Sequence, residues 1–253
     1  MIKVVIIGAG NVATHLYQNF TKSKQIDVIQ VFSRNKQKLD FVKQASKKVS
    51  KIEELKEADL YLLAIKDEAI QEVATQLKSK SGVVAHTSGS VSMDIFSGNE
   101  NYGVFYPMQT FSKNKPVNFE DVPLCLEANT QKNLTFLKNI ASIVSNRVFE
   151  VNSEQRKVLH ISAVFVNNFT NHLFALASDF CKKEDLPFDM LRPLIKETVD
   201  KLDILDPFAA QTGPALRNDQ KTIAAHLEML DDDQSKIYTI ITESIQNLHG
   251  KKL

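Results

Sequence analysis

The residues whose types and spacing suit chemistry fall into three clusters. Gly8-Ala9-Gly10-Asn11-Val12-Ala13 is a G-x-G-x-x-A string close to the N-terminus. In that spacing the first glycine permits a tight turn, the second leaves room for a pyrophosphate against the backbone, and the alanine lets a helix lie close to a strand. N–H groups in the first turn of the following helix have no partner inside it and can bind phosphate. The next cluster is polar and sits within one long helical pattern: His160, Asn167, Asn168, Asn171 and His172. On an unbroken α-helix His160, Asn167 and Asn171 share a face, and Asn168 and His172 lie on the adjacent one. Asparagines weaken a helix, so a hydrogen-bond network or a substrate must offset the cost. Their chemistry would be proton transfer by His160 and polarisation of an electrophile by Asn167 or Asn168. The third cluster, Thr212 to Asp219, offers Arg217 as an anchor for a carboxylate and Asp219 as a helix cap.

The elements that must position these residues are legible from periodicity. Ile2 to Ile7 is an apolar, largely β-branched run interrupted only by Lys3, which predicts a buried parallel strand. Val12, Leu16 and Phe20 then give a helix its inward stripe, and Ile26 to Phe32 reads as the second strand. Ser33 and Arg34 follow it, where NAD-preferring folds carry an acidic residue for the ribose 2′-OH. A hydroxyl and a guanidinium suit a 2′-phosphate, so NADP(H) is expected over NAD(H), while Lys36 and Lys38 read as solvated. Lys51 to Ala58 is predicted as a short helix, Leu60 to Ile65 as the fourth strand, and Asp67 as the cap of a helix reaching about Leu77. Ala64, Ile65 and Lys66 end that strand beside the expected cofactor, with Lys66 in contact or solvated.

Gly82 to Ala85 is the fifth strand, and its exit carries His86 and Ser88 as candidates near a nicotinamide, joined by Gln109 after the next strand. His86 is either a reactive group or a hydrogen-bonded structural histidine. Strands are also predicted at Tyr102 to Tyr106, Val122 to Leu126 and Arg147 to Val151, with a helix over Thr130 to Ile143. Ser153 to Cys181 then reads as one long helix and the spine of a helical domain, its apolar surface supplied by Leu159, Val166, Phe169, Leu173, Leu176 and Phe180. Further helices are expected over Phe188 to Leu202, kinked or restarted at Pro193, over Asp219 to Leu230, and over Gln234 to Leu248, ending at Gly250. The expected fold class is an α/β dinucleotide-binding domain, residues 1–152, followed by an all-α C-terminal domain, residues 153–253.

A formal net charge of +1 among 253 residues supplies no electrostatic argument for nucleic acid or an anionic membrane surface. No apolar run reaches spanning length, and no secretory pattern precedes the first strand. Cys125 and Cys181 form neither a metal motif nor a disulfide framework. No H-E-x-x-H pair or calcium-loop spacing is present, so no metal is expected. His15, His226 and His249 read as bystanders, and the protein as cytoplasmic.

Taken together, several segments resemble a family. They are Gly8 to Ala13, the exit at Ala64-Ile65, His86-Thr87-Ser88-Gly89, Pro107-Met108-Gln109-Thr110-Phe111, His160 with Asn167-Asn168, and Gly213-Pro214 with Arg217 and Asp219. The combination resembles the Rossmann-like oxidoreductases of the wider 6-phosphogluconate dehydrogenase and pyrroline-5-carboxylate reductase-like group, whose C-terminal helical domain is of unknown function. The resemblance implies an NADP-binding domain and a 6-phosphogluconate dehydrogenase C-terminal-like helical domain that forms a homodimer, with an active cleft between them. Related reductases act on imines, ketones or small hydroxy acids. Some use a lysine four residues before a helix asparagine, and this chain departs from that: Val164 precedes Asn168 and Ala163 precedes Asn167 by four.

The leading expectation is an NADP(H)-dependent oxidoreductase acting on a small polar substrate. His160 or His86 would supply the proton, Asn168 or Asn167 and Ser88 would orient the electrophile, and Arg217 would hold a carboxylate. The alternative is a non-catalytic NADP-binding regulatory or sensor protein. Replacing Arg34 by Ala should weaken NADPH binding by roughly 10- to 100-fold, the worth of a charge-assisted bond. NADH binding should change little; an equal loss for both cofactors in a fluorescence titration would remove Arg34 from the 2′-phosphate site.

Overall fold

The structure, a computed structural model, describes residues 1–250; residues 251–253, the expected end of the helical domain, lie outside the described residues. The chain divides into two compact units, the first Met1–Asn168 and the second beginning at Phe169.

The first unit is built on an eight-stranded sheet in the order β3-β2-β1-β4-β5-β6-β7-β8. The strands are β1 (Ile2–Ile7), β2 (Ile26–Phe32), β3 (Lys48–Val49), β4 (Leu60–Leu63), β5 (Val83–His86), β6 (Tyr102–Pro107), β7 (Leu124–Ala128) and β8 (Val148–Glu150). All neighbours are parallel except β6 and β7, which pair antiparallel with Phe105 opposite Leu126, so the sheet is mixed. Helices α1 (Asn11–Phe20), α2 (Ile70–Gln76), α3 (Gln131–Val144) and α4 (Ser153–Ala163) complete the unit.

Side chains alternate across each strand, so β1 feeds two cores at once. Val4 and Ile6 join Leu16 and Phe20 of α1 and Leu137 and Ile140 of α3. Val5 and Ile7 join Tyr61, Leu63, Ile70, Ala74 and Phe96 on the other face. Thr130 caps α3 by accepting from the Asn133 N–H. Strand β7 begins only after Pro123, which has no N–H to give the ladder.

Several expectations are corrected. Lys51 to Ala58 is not a helix; only Ile52–Glu54 forms a 3-10 turn. Its backbone is instead satisfied by distant side chains. Gln30 donates to the Glu54 carbonyl and accepts from the Lys56 N–H, and Lys80 donates to the Leu55 carbonyl. The buried Tyr61 hydroxyl accepts from the Ala58 N–H at 3.0 Å and donates to the Lys56 carbonyl at 2.8 Å. Asp67 caps nothing: it starts a 3-10 turn, Asp67–Ala69, and accepts from the Ser90 hydroxyl at 2.6 Å. The stretch expected as one helix from Ser153 is α4, then a π-helical segment Val164–Phe169, then α5 (Thr170–Lys183). The wider π turn changes the phase of the helix, so face assignments made at α-helical spacing do not carry across it.

The second unit continues with α6 (Arg192–Asp200), where Pro193 stands in the first turn rather than kinking a longer helix. It also holds α7 (Gln220–Leu227) and α8 (Asp232–His249). Asp219 caps α7 through the Thr222 N–H, as its position suggests, and Asp231 forms a capping box with Gln234 at the start of α8. Gly250 ends α8 in right-handed conformation, not the left-handed one typical of a glycine cap. Half of the expected apolar spine is uncovered: Val166 is 75% exposed, Phe169 51% and Leu173 40%, while Leu159, Leu176 and Phe180 are half-buried. Among the described residues no helix is long and apolar enough to cross a membrane.

Replacing Tyr61 by Phe leaves the Ala58 N–H and Lys56 carbonyl without their partner. Unfolding in urea should show a loss of about 1–3 kcal/mol at unchanged m-value; a loss below a few tenths would mean these groups find other partners.

Candidate functional site

Because β2, β1, β4, β5 and β6 are parallel neighbours, their C-terminal ends stand in a row about 4.8 Å apart. Along it run Ser33-Arg34, Gly8 to Gly10, Ala64 to Lys66, His86 to Ser88, and Met108-Gln109. The chain leaves β1 toward β2 on one side and returns as β4 on the other, the reversal point where open α/β sheets bind ligands.

Gly8 has φ +137°, and a Cβ there would lie 2.1 Å from the Ala64 carbonyl oxygen, so neither conformation nor space admits a side chain. A Cβ on Gly10 would meet nothing within 4 Å. Helix α1 starts from Gly10 with no side-chain cap and no acidic residue in its first turn. The first N–H groups of α1 are therefore left to an anion beside open space, which fits a dinucleotide pyrophosphate.

Asn11, expected at the cofactor, spends its side-chain amide on the Phe111 carbonyl at 2.7 Å. One turn on, His15, read as a bystander in the chemistry, has a structural role. It is buried, lies 3.0 Å from the Ser112 carbonyl and packs on Phe111. Helix α1 thus holds the loop after β6. Val12 is half-buried and packs against the core. Ser33 is half-buried, with its N–H bonded to Val49, and Arg34 is exposed. Ile65 is half-buried, while Lys66 is exposed with Glu68 3.6 Å away.

His86 belongs to β5 and is fully buried against Phe96. Its Nδ1 accepts from the Ser88 N–H at 3.1 Å, and Nε2 is buried without a partner. Burial, reinforced by the Arg156 charge, pushes its pKa down to about 4. With no exposed edge, His86 is corrected from candidate proton donor to a structural residue. Ser88 is buried and its hydroxyl oxygen accepts from the N–H groups of Ser90 and Val91, which shapes the loop.

His160 on α4 lies at this loop. Its Nδ1 is 3.3 Å from the Tyr106 hydroxyl, and the rings meet edge-on. A Cβ on Gly89 would lie 2.5 Å from that Nδ1. One turn earlier, Arg156 is fully buried. It pairs with Glu127 at 2.7 Å, donates to the Val91 carbonyl and lies 3.2 Å from the Ser153 hydroxyl. Ser153 donates to Glu127 and accepts from the Met93 N–H. Burial, and secondarily Cys125, raises the Tyr106 pKa, so the phenol stays protonated.

Asn167 is half-buried and Asn168 exposed, both in the π segment; Gln109 is exposed. In the second unit Arg217 is exposed near Asp219, whose carboxyl is held below its usual range chiefly by the Thr222 hydroxyl, then by the Thr222 N–H. Among the described residues no group of three or more His, Cys, Asp or Glu is placed to hold a metal. The sequence reading missed Tyr106, Arg156 and Glu127. Arg156 and His160 stand four apart on one helix face, a signal that was available.

His86 binds protons more weakly folded than unfolded, so it stabilises the fold fully above pH 6.5 and loses that contribution as the pH falls toward 4. The loss is up to roughly 3 kcal/mol. Urea midpoints measured across this window should fall less steeply in His86→Gln than in the parent; parallel curves would show that His86 titrates normally.

No protein of curated description matches the sequence. Residues 3–88 match the family described as NADP oxidoreductase, coenzyme F420-dependent, and residues 122–245 match a domain of unknown function (DUF2520). A solved Bacteroides fragilis protein, provisionally described as an NADP oxidoreductase, is 42% identical with a TM-score of 0.91 over 97% of this chain and 98% of that one. A Thermotoga maritima protein is 20% identical, TM-score 0.74, over 98% and 99% of the two chains. The Plasmodium falciparum pyrroline carboxylate reductase, solved with NADP bound, is 13% identical, TM-score 0.64, over 96% and 98%. The last two are likenesses of fold. The chain belongs to the Rossmann-like NAD(P)(H) oxidoreductase family with a helical C-terminal domain, a fold shared with pyrroline-5-carboxylate reductases and prephenate dehydrogenases.

Proposed function

We propose that the protein is an NADP(H)-dependent oxidoreductase transferring a hydride to or from a small polar substrate, an imine, ketone or hydroxy acid. The observation that carries this reading is His160, half-buried and bonded to Tyr106 beside the exit of β5, on the sheet edge that begins with the dinucleotide turn. A bound nicotinamide would supply or accept the hydride. In the reducing direction, His160 gives a proton to the nitrogen or oxygen that receives the electron pair of the reduced double bond. Asn167 and Asn168 serve as polar donors to that electrophile, with Ser88 shaping the loop beside it. A protonated C=N is already electrophilic and asks less of the protein than a ketone, so imines are the first substrates to try.

Ser33 and Arg34 make NADP(H) the preferred cofactor, bound over Gly8, Gly10, the N–H groups of Asn11 and Val12, and the Ala64-Ile65-Lys66 exit. The nucleotide domain is assigned to residues 1–152 and a 6-phosphogluconate dehydrogenase C-terminal-like domain for substrate and dimerisation to 153–253, although α4 and the residues up to Asn168 cluster with the first compact unit. Support for a homodimer comes from the apolar side chains left exposed there, among them Leu194 at 64%, Ile204 at 86% and Phe208 at 60%. The free thiols Cys125 and Cys181 suit a reducing, cytoplasmic setting.

Titration with NADPH and NADH, followed by oxidation of bound NADPH against cyclic imines and 2-keto acids, tests the proposal. NADPH should bind more tightly, at least one imine should be reduced, and His160→Ala should lower kcat about 100-fold or more with NADPH affinity unchanged. Tight NADPH binding with no turnover on any of the panel would favour the sensor reading instead.

A further inference from the structure

We propose that Asn11 is a positioning residue that couples the bound dinucleotide to the loop after β6. Pyrophosphate on its main-chain N–H steadies the helix turn from which its side-chain amide holds the Phe111 carbonyl. The inference rests on the reading of the glycine turn as the pyrophosphate site.

Asn11 is the first residue of α1, so its main-chain N–H is among those the helix itself cannot satisfy. Gly10 before it is extended and lends no side-chain cap, and the first turn holds no acidic group. Such a turn frays more readily than a capped one. Fraying carries the Asn11 amide away from the Phe111 carbonyl, which it reaches at 2.7 Å. An anion lying across the turn's N–H groups, favoured also by the helix dipole, opposes the fraying. The same residue therefore meets the cofactor with its backbone and the loop with its side chain.

His15 is the counterpart whose hold on the loop does not depend on the cofactor. It stands one turn inside the helix, 2% exposed, with Nε2 3.0 Å from the Ser112 carbonyl oxygen. A carbonyl only accepts, so Nε2 is the donor whether the imidazole is neutral or charged. The Phe111 ring packs 4.9 Å from His15 and 6.1 Å from Phe119, which fixes that side chain in the core. On the other side, the Met108 N–H is held by the Pro123 carbonyl. The stretch governed by Asn11 is thus Gln109 to Phe111, directly after the strand that carries Tyr106 to His160.

Hydrogen exchange at the Gln109, Thr110 and Phe111 amides of the full-length protein tests the coupling. The arms are no ligand, NADPH, and 2′-phospho-ADP-ribose, which has the pyrophosphate but no nicotinamide. Either ligand should slow exchange at these amides roughly 5-fold or more. Asn11 is exposed, so Asn11→Ala leaves the core intact and keeps the main-chain N–H. In that variant both ligands should still protect residues 8–14 but no longer Gln109 to Phe111. By reciprocity NADPH should also bind it about 5-fold less tightly. His15→Ala is the control for a merely structural loss: loop exchange should rise by the same factor with and without ligand. Loop amides unmoved by either ligand, or protection that survives in Asn11→Ala, overturns the proposal. Protection by NADPH but not by 2′-phospho-ADP-ribose overturns it too, because the nicotinamide would then cover the loop directly. Failure of both NADPH and NADH to bind the parent or to protect residues 8–14 would sink the dinucleotide reading itself, and the coupling with it.

Discussion

The buried guanidinium of Arg156 is the constraint on which the β6 end of the strand-exit row depends. Removing such a charge from water costs several kcal/mol unless its donors are met. Here Nη1 meets Glu127 on β7, and Nη2 meets the Val91 carbonyl of the loop after β5 and the Ser153 hydroxyl at the start of α4, while Nε is buried without a partner. Two segments distant in sequence are thereby tied to the start of α4, and His160 follows one helical turn later. The same charge lowers the His86 pKa together with burial, and opposes the upward shift that burial imposes on Tyr106 and Cys125.

Two kinds of glycine serve the two ends of the strand-exit row. Gly8 is required by the backbone itself, which turns at positive φ against the Ala64 carbonyl. Gly89 is required by its neighbours, two side-chain rings that occupy the volume a methyl group would need. The nucleotide end is accordingly a backbone site, made of N–H groups and open space. The opposite end is a side-chain site, assembled from β6, α4 and the loop between β5 and β6. Between them, Asn11 and His15 of α1 hold the loop after β6 by its Phe111 and Ser112 carbonyls. The dinucleotide helix is therefore connected to both the cofactor turn and a loop farther along the row.

Sequence alone determined what local physics decides. The six-residue β1, the glycine turn, the seven-residue β2 and the cap of α7 are legible because period, β-branching and capping act over a few residues. Tertiary structure decided wherever a polar group is satisfied from afar. The Lys51 to Ala58 segment has a helical pattern, but Gln30, Tyr61 and Lys80 take its backbone groups and hold it open. His86 follows an apolar strand like any exit residue, and only the fold shows that Phe96 and the Ser88 N–H enclose it. The π segment at Val164–Phe169 breaks a face that α-helical arithmetic made continuous. His160 could be chosen from its type and helix position; its partner Tyr106 lies 54 residues away, and such a pairing leaves no periodic trace in the chain.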